Sequence, residues 1–339
     1  MGKKIAANLF RYASQSGASH LVILNRDRQV TFDYYFPGGE KRSFSLPQTM
    51  EPDILAGLRQ ILDIRPGELT AQKPIRLNGP SGRLDFHVTI TPDDNKEKIV
   101  ISILDRNQRN WRLNQLGLQT NQKKEISNFL SRRSGLLIVS APSGHGKSAT
   151  AFALGAEADT ETKSVYVLED FPEISSSRFN SLRQTEDNWT RILRCDSDLI
   201  IADSLEEKKN LRNALVAAAT GRLVIGTISA QNAFEVLAKV LQIDLPLKLK
   251  LDSLKMIINQ RLTDLDRTFQ PARSNARQTI GLFEILKITP RLKQIISEGT
   301  DSSDKKFWTG LISEAISEGF KPLALDRQQK IGRRITKND

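Results

Sequence analysis

A single cysteine, Cys195, stands in a chain of 339 residues. It cannot close an internal disulfide or build a multi-cysteine zinc site, so a disulfide scaffold is excluded and a reducing compartment is the simplest reading. Aromatic residues make up only 6% of the chain, and no basic stretch is interleaved with them. Stacking platforms for bases are therefore missing, which argues against a nucleic-acid partner. No run approaches the roughly 18 consecutive apolar residues of a membrane helix. The longest runs, near residues 136–139 and 199–202, have the length of buried strands. The opening MGKKIAANLF passes directly into Arg11 and a polar SQSG, without the apolar core or cleavage site of a targeting signal. Internal repeats and low-complexity tracts are also lacking.

What is present is ordinary globular composition, 39% hydrophobic and 26% charged, over a length that suggests two domains. The net charge of +11 attracts polyanions at long range, whether nucleic acid, anionic lipid or acidic protein, and does not choose among them.

Residues 1–106 read as a small α+β domain. Ile5, Ala6, Leu9, Phe10 and Ala13 recur at helical spacing, and HLVILN and QVTFDYYF read as strands that end at a Pro-Gly-Gly turn, residues 37–39. A helix carrying Ile54, Leu58 and Ile61 stops at Pro66 and Gly67. RLDFHVTI and KIVISIL alternate with the period of strands. Residues 107–120 are polar and aperiodic and read as a linker or hinge. From residue 121 to 339 the pattern changes: short apolar runs at 135–140, 163–168, 198–202 and 222–228 alternate with amphipathic helical segments, as in a mostly parallel sheet covered by helices. The last third, from about 247, reads as mainly helical apart from a strand at TIGLFEIL, and ends in a polar basic tail.

The most informative stretch is GLLIVS-APSGHGKS-ATAFAL, a buried strand, a loop at 141–148 and a helix beginning near Lys147. It fits A-x-x-x-x-G-K-S. Ser143, Gly144, His145, Gly146, Lys147, Ser148 and Ala149 would surround a nucleotide's phosphates. Glycines let successive N–H groups curl around the anion, and the helix N-terminus adds partial positive charge. Lys147 would reach the β- and γ-phosphates of ATP, and the Ser148 hydroxyl would ligate Mg²⁺. Ala141 occupies a position where glycine is commonest. His145 reads as a solvent-facing filler ahead of a catalytic group. Asp203 closes the apolar strand LIIA; it is placed either to hold Mg²⁺ or to cap the following helix, a task Ser204 could share. Glu169 ends another strand and is either an acid that orients attacking water or a turn former.

The loop and its surroundings together resemble the secretion ATPase family that powers type II secretion and type IV pilus assembly. ASHLVILNRDRQVTFDYYFPGG and RLDFHVTITPDDNKEKIVISILDR look like its N-terminal-domain signatures. VLEDFPE at 167–173 resembles its acidic box, with Glu169 and Asp170 in place. DSDLIIADSLEE resembles its Walker B segment, TGRLVIGTISAQN its histidine box, and NQRL with GLFEIL its downstream core. The resemblance implies an α/β architecture: a RecA-like P-loop ATPase domain preceded by a small α+β domain. It further implies ATP and Mg²⁺ as cofactors, Glu169 and Asp203 as catalytic acids, and Ser148 and Asp203 as metal ligands. A homo-hexamer is implied as well, cytoplasmic and peripheral at the inner face of the cytoplasmic membrane, docked on platform or secretion and pilus machinery proteins. The departures fall on chemistry. The family's Gly-Glu reads Asp203-Ser204, its two histidines read Arg222 and Ser229, and two N-terminal-domain arginines read His87 and Ser102. Two readings therefore stand: a motor subunit coupling hydrolysis to pilin or pseudopilin assembly or retraction, and a hydrolysis-deficient ATP-binding paralogue with a regulatory or structural role.

Overall fold

The computed structural model describes residues 2–26, 29–36, 40–61, 71–79, 82–93, 96–104, 111–158, 163–169, 179–264, 279–299 and 305–332. The expected turns at 37–39 and 66–67, Asp170 and the terminal tail beyond residue 332 lie outside them. The chain divides into two compact units with the boundary at Asn107 and Gln108.

The first unit contains α1 (Gly2–Ser16), β1 (His20–Arg26), β2 (Gln29–Tyr35), β3 (Lys41–Pro47), α2 (Glu51–Ile61), β4 (Ala71–Gly79), β5 (Gly82–Asp93) and β6 (Lys96–Leu104). Its six strands form one antiparallel sheet in the order β3-β2-β1-β6-β5-β4. Period-two alternation decides which face is covered. Val30, Phe32, Tyr34, Phe86, Val88, Ile99 and Ile101 are buried together with Ala6, Phe10 and Ala13 of α1 and Ile54 and Leu58 of α2. The two edge strands carry little apolar signal. β3 is exposed along nearly its whole length, and β4 contains Pro74, a residue that sheets tolerate at an edge.

The second unit contains α3 (Thr120–Leu130), β7 (Gly135–Ser140), α4 (Lys147–Ala158), β8 (Val165–Glu169), β9 (Asn180–Arg183), α5 (Glu186–Arg194), β10 (Leu199–Ala202), α6 (Lys208–Ala219), β11 (Leu223–Ile228), α7 (Ala233–Leu241), α8 (Leu247–Ser253), β12 (Leu254–Asp264), β13 (Thr279–Lys287), α9 (Pro290–Glu298), α10 (Lys305–Ser317) and α11 (Leu323–Gly332). Its sheet runs β13-β12-β7-β11-β10-β8-β9, parallel except for the β12–β13 pair. Both faces are buried, which explains the unbroken apolar runs. Leu136 and Ile138 of β7, with Ile200 and Ala202 of β10, enter one core; Leu137, Val139, Leu199 and Ile201 enter the other.

Two expectations change. The last third is not helical apart from one strand, because residues 254–264 form β12, which pairs with β7 on one side and β13 on the other. The described part of the expected linker, 107–120, is anchored rather than loose. Leu113, within a short 3-10 turn, packs with Leu116 and Leu118 in the core of the second unit beside Phe129. Among the described residues no helix is long and apolar enough to cross a membrane.

Candidate functional site

Parallel pairing brings the C-terminal ends of β7, β11, β10 and β8 to one edge of the sheet. Ser140 is registered with Ile228, Gly226 with Ala202, and Ala202 with Leu168. The loop at 141–148 leaves β7 at this edge. Gly144 and Gly146 adopt φ of 78° and 77°, the left-handed region that a side chain disfavours. A Cβ on Gly146 would also lie 3.3 Å from the amide nitrogen of Gln260. The loop therefore turns as the motif requires and feeds α4, whose first N–H groups have no partner within the helix. Ser143 is exposed, while Ser148 and Ala149 are half-buried on the first turn of α4.

Lys147 is half-buried. Its Nζ donates to the carbonyls of Ala141 and Pro142, at 3.2 and 3.4 Å, and to Ser229 Oγ at 3.2 Å. Burial pushes its ammonium below the usual lysine range; Glu206 and then Asp203 oppose that shift, while Arg261 and Lys239 add to it. The loop cation thus faces two acids. Asp203 was expected at this edge; Glu206 escaped sequence reasoning. Its only signal there was an acid three residues beyond Asp203.

The capping alternative for Asp203 and Ser204 is overturned, because α6 begins at Lys208 with Glu207 at its N-cap. Asp203 is instead fixed by its main chain: its N–H donates to Leu168 O at 2.9 Å, and its carbonyl accepts the Thr227 hydroxyl at 2.7 Å. Ser204 offers its carbonyl to the Gln184 side chain. Leu205 is fully buried and packs where a Cβ on Gly226 would lie, 2.2 Å from its Cδ1. That contact seats residues 203–206 over β11.

His145 is no solvent-facing filler. Its Nδ1 accepts the Leu262 N–H at 3.0 Å, and its carbonyl accepts the Gln260 side-chain amide at 2.5 Å. The ring is half-buried and pins the loop to β12. Burial, then Arg261 and Lys147, hold its pKa below the ordinary histidine value. Next to this clamp, Ser140 Oγ donates to Asn259 Oδ1 at 3.1 Å, and Asn259 donates to Glu284 Oε1 at 3.2 Å. Glu284 also accepts the N–H groups of Ala233 and Leu323 at the starts of α7 and α11.

The remaining candidates are dispersed. Glu169 is 6% exposed at the end of β8, three strand spacings, about 14 Å, from β7 along the same edge. Ser229 follows β11 and meets Lys147, a contact no sequence pattern announced. Arg222 lies at the other end of β11, where it donates to the carbonyls of Thr220 and Leu193 at 3.0 and 2.8 Å. It therefore serves the packing of α5 and α6 and not the loop. His87 is registered opposite Ser102 across β5 and β6.

A phosphate loop rising from an inner strand of a parallel sheet, with acids ending the strands beyond it, defines a RecA-like P-loop ATPase fold preceded by a small α+β domain. The chain belongs to the type II/IV secretion system protein family, whose model matches residues 58–319. It is 26% identical over 280 residues to the type IV pilus assembly ATPase PilB of Pseudomonas aeruginosa, covering 71% of this chain and 48% of that protein. Against the type II secretion system protein E of Klebsiella pneumoniae it is 25% identical over 256 residues, covering 72% and 50%. It spans about half the length of these curated relatives. Among solved structures, the Legionella pneumophila ATPase DotB superposes with a TM-score of 0.70 at 16% identity, covering 100% of this chain and 94% of that one. The pilus retraction motor PilT superposes at 0.58 with 18% identity, covering 95% of each.

Proposed function

We propose that the protein binds Mg²⁺-ATP at residues 143–149 and hydrolyses it as a motor subunit of a secretion or type IV pilus machine. The observation that supports this most is the Lys147 ammonium, hydrogen-bonded to Ser229, whose N–H is in turn held by Glu206, at the edge of the sheet where Asp203 leaves β10. The donor set fits the nucleotide: two left-handed glycines, an ammonium, and a hydroxyl on the first turn of a helix suit a triphosphate tail. Ser148 and Asp203 are hard oxygen donors of the kind Mg²⁺ takes, and the bound metal supplies charge neutralisation between the phosphates. Glu169 ends β8 at the same edge, where it is buried beside β10. Relatives named for type II secretion, type IV pilus assembly and pilus retraction support a place in such a machine; the proposal extends to a homo-hexamer on the cytoplasmic face of the inner membrane, with ATP turnover driving pilin or pseudopilin assembly or retraction.

Phosphate release by wild type and Lys147→Ala tests the proposal. Wild type is expected to turn over and the variant to lose both turnover and most nucleotide affinity. Release at the buffer rate by both, with a fluorescent ATP analogue still binding wild type, would leave the hydrolysis-deficient paralogue as the function.

A further inference from the structure

The family's acid position is occupied by Ser204, and Ser204 is engaged through its carbonyl with Gln184. An acid nonetheless reaches the phosphate loop from the same turn. The Glu206 carboxylate accepts the Ser229 N–H, and the hydroxyl of that serine accepts Lys147 Nζ at 3.2 Å. One residue therefore joins the carboxylate to the ammonium that serves the terminal phosphates. The carrier of Glu206 is rigid, because Leu205 is buried against Gly226 and Asp203 is held by Leu168 and Thr227 on either side. Glu206 itself is exposed, so water has access to it. Glu169, by contrast, is buried three strands away.

From this geometry we infer that Glu206 is the general base for ATP hydrolysis, displaced two residues along the turn from the position that the family pattern assigns to its acid. The inference rests on the hydrolysis proposed above. Glu206 accepts a proton from the attacking water as the water oxygen bonds to the γ-phosphorus. The bond from that phosphorus to the β–γ bridging oxygen breaks, ADP leaves with the electron pair, and the proton passes from Glu206 to solvent with inorganic phosphate. No oxidant or further reactant is needed. Asp203 keeps the metal-holding role, which its fixed main chain suits.

The test compares wild type, Glu206→Gln, Glu206→Asp and the neighbouring control Glu207→Gln, in three measurements: phosphate release, affinity for a non-hydrolysable ATP analogue, and the gain in affinity when aluminium fluoride is added to ADP. Loss of a general base lowers turnover by roughly 10²- to 10⁴-fold. Glu206→Gln is expected to fall by that factor, keep analogue affinity within about twofold, and lose the aluminium fluoride gain, since that gain reports interactions specific to the transition state. Glu206→Asp retains part of the rate and Glu207→Gln all of it. Turnover by Glu206→Gln close to wild type, or an equal fall in Glu207→Gln, overturns the role of Glu206 while hydrolysis stands. A wild-type chain that binds the analogue and releases no phosphate overturns the hydrolysis reading, and this role with it.

Discussion

Lys147 and His145 lie two residues apart, and each is held by a partner far away in sequence. The lysine donates to Ser229, and the histidine accepts from Leu262. The loop motif itself was legible, because glycine, lysine and serine at fixed offsets between a strand and a helix carry their own chemistry. The histidine clamp was not, since its partner arrives only when β12 pairs beside β7. Its depressed pKa sets a direction for stability. Above the ordinary histidine value the ring is neutral in folded and unfolded chains alike, and the Leu262 bond is fully present. As pH falls through that value the unfolded chain takes up the proton first, so stability declines until the folded ring protonates too. His145→Asn removes this term. Its melting temperature should therefore fall less than that of wild type between about pH 7.5 and about pH 5.5, values chosen to bracket a histidine's ordinary pKa. Equal falls would show that the clamp does not titrate.

At the level of elements, most of the sheet was readable from alternation and from unbroken apolar runs. β12 was hidden because LKLKLDSLKMII passes from α8 into the strand with no glycine or proline between them. Leucines at 247, 249 and 251 carry no mark of where the period changes. The start of α6 stayed open in the sequence for a related reason: Asp203 and Ser204 are good caps in isolation, but Leu205 is drawn into the core and defers the helix to Lys208. Gly226 makes that possible. Gly226→Ala should destabilise by about 1–3 kcal/mol through overpacking and lower phosphate release by displacing residues 203–206. Denaturant midpoints and turnover check the two effects separately. α11 presents a second case. Asp326 and Lys330 are both buried and paired at 2.7 Å, with the lysine also donating to Gly281 O and the aspartate accepting from Phe283 N–H. Asp326→Ala leaves the cation buried without its counter-ion and should cost about 3–5 kcal/mol in chemical denaturation. An Asp326→Leu/Lys330→Met double variant should recover most of that loss.

For the whole molecule, two units, each with its own apolar packing, predict two cooperative events rather than one. All three tryptophans, Trp111, Trp189 and Trp308, lie in the second unit, so their fluorescence follows that unit alone while far-ultraviolet dichroism follows both. The two signals should separate in guanidinium. A non-hydrolysable ATP analogue at about 100 times its dissociation constant should shift the fluorescence transition by roughly 2.7 kcal/mol and leave the remaining dichroism change in place. Coincident curves would mean that the units unfold as one. Composition and length suggested two domains; the anchoring of residues 113–118 did not follow from their polar surroundings, because three leucines spaced through a polar stretch show no period.

Glu284 gathers the starts of α7 and α11 and the side chain of Asn259 onto one carboxylate, and Asn259 in turn touches the last residue of β7. A tug on α11 would thus be felt at the end of β7, where the loop at 141–148 begins, through a chain of only four polar groups. Whatever pulls on α11 therefore pulls on the stem of that loop as well.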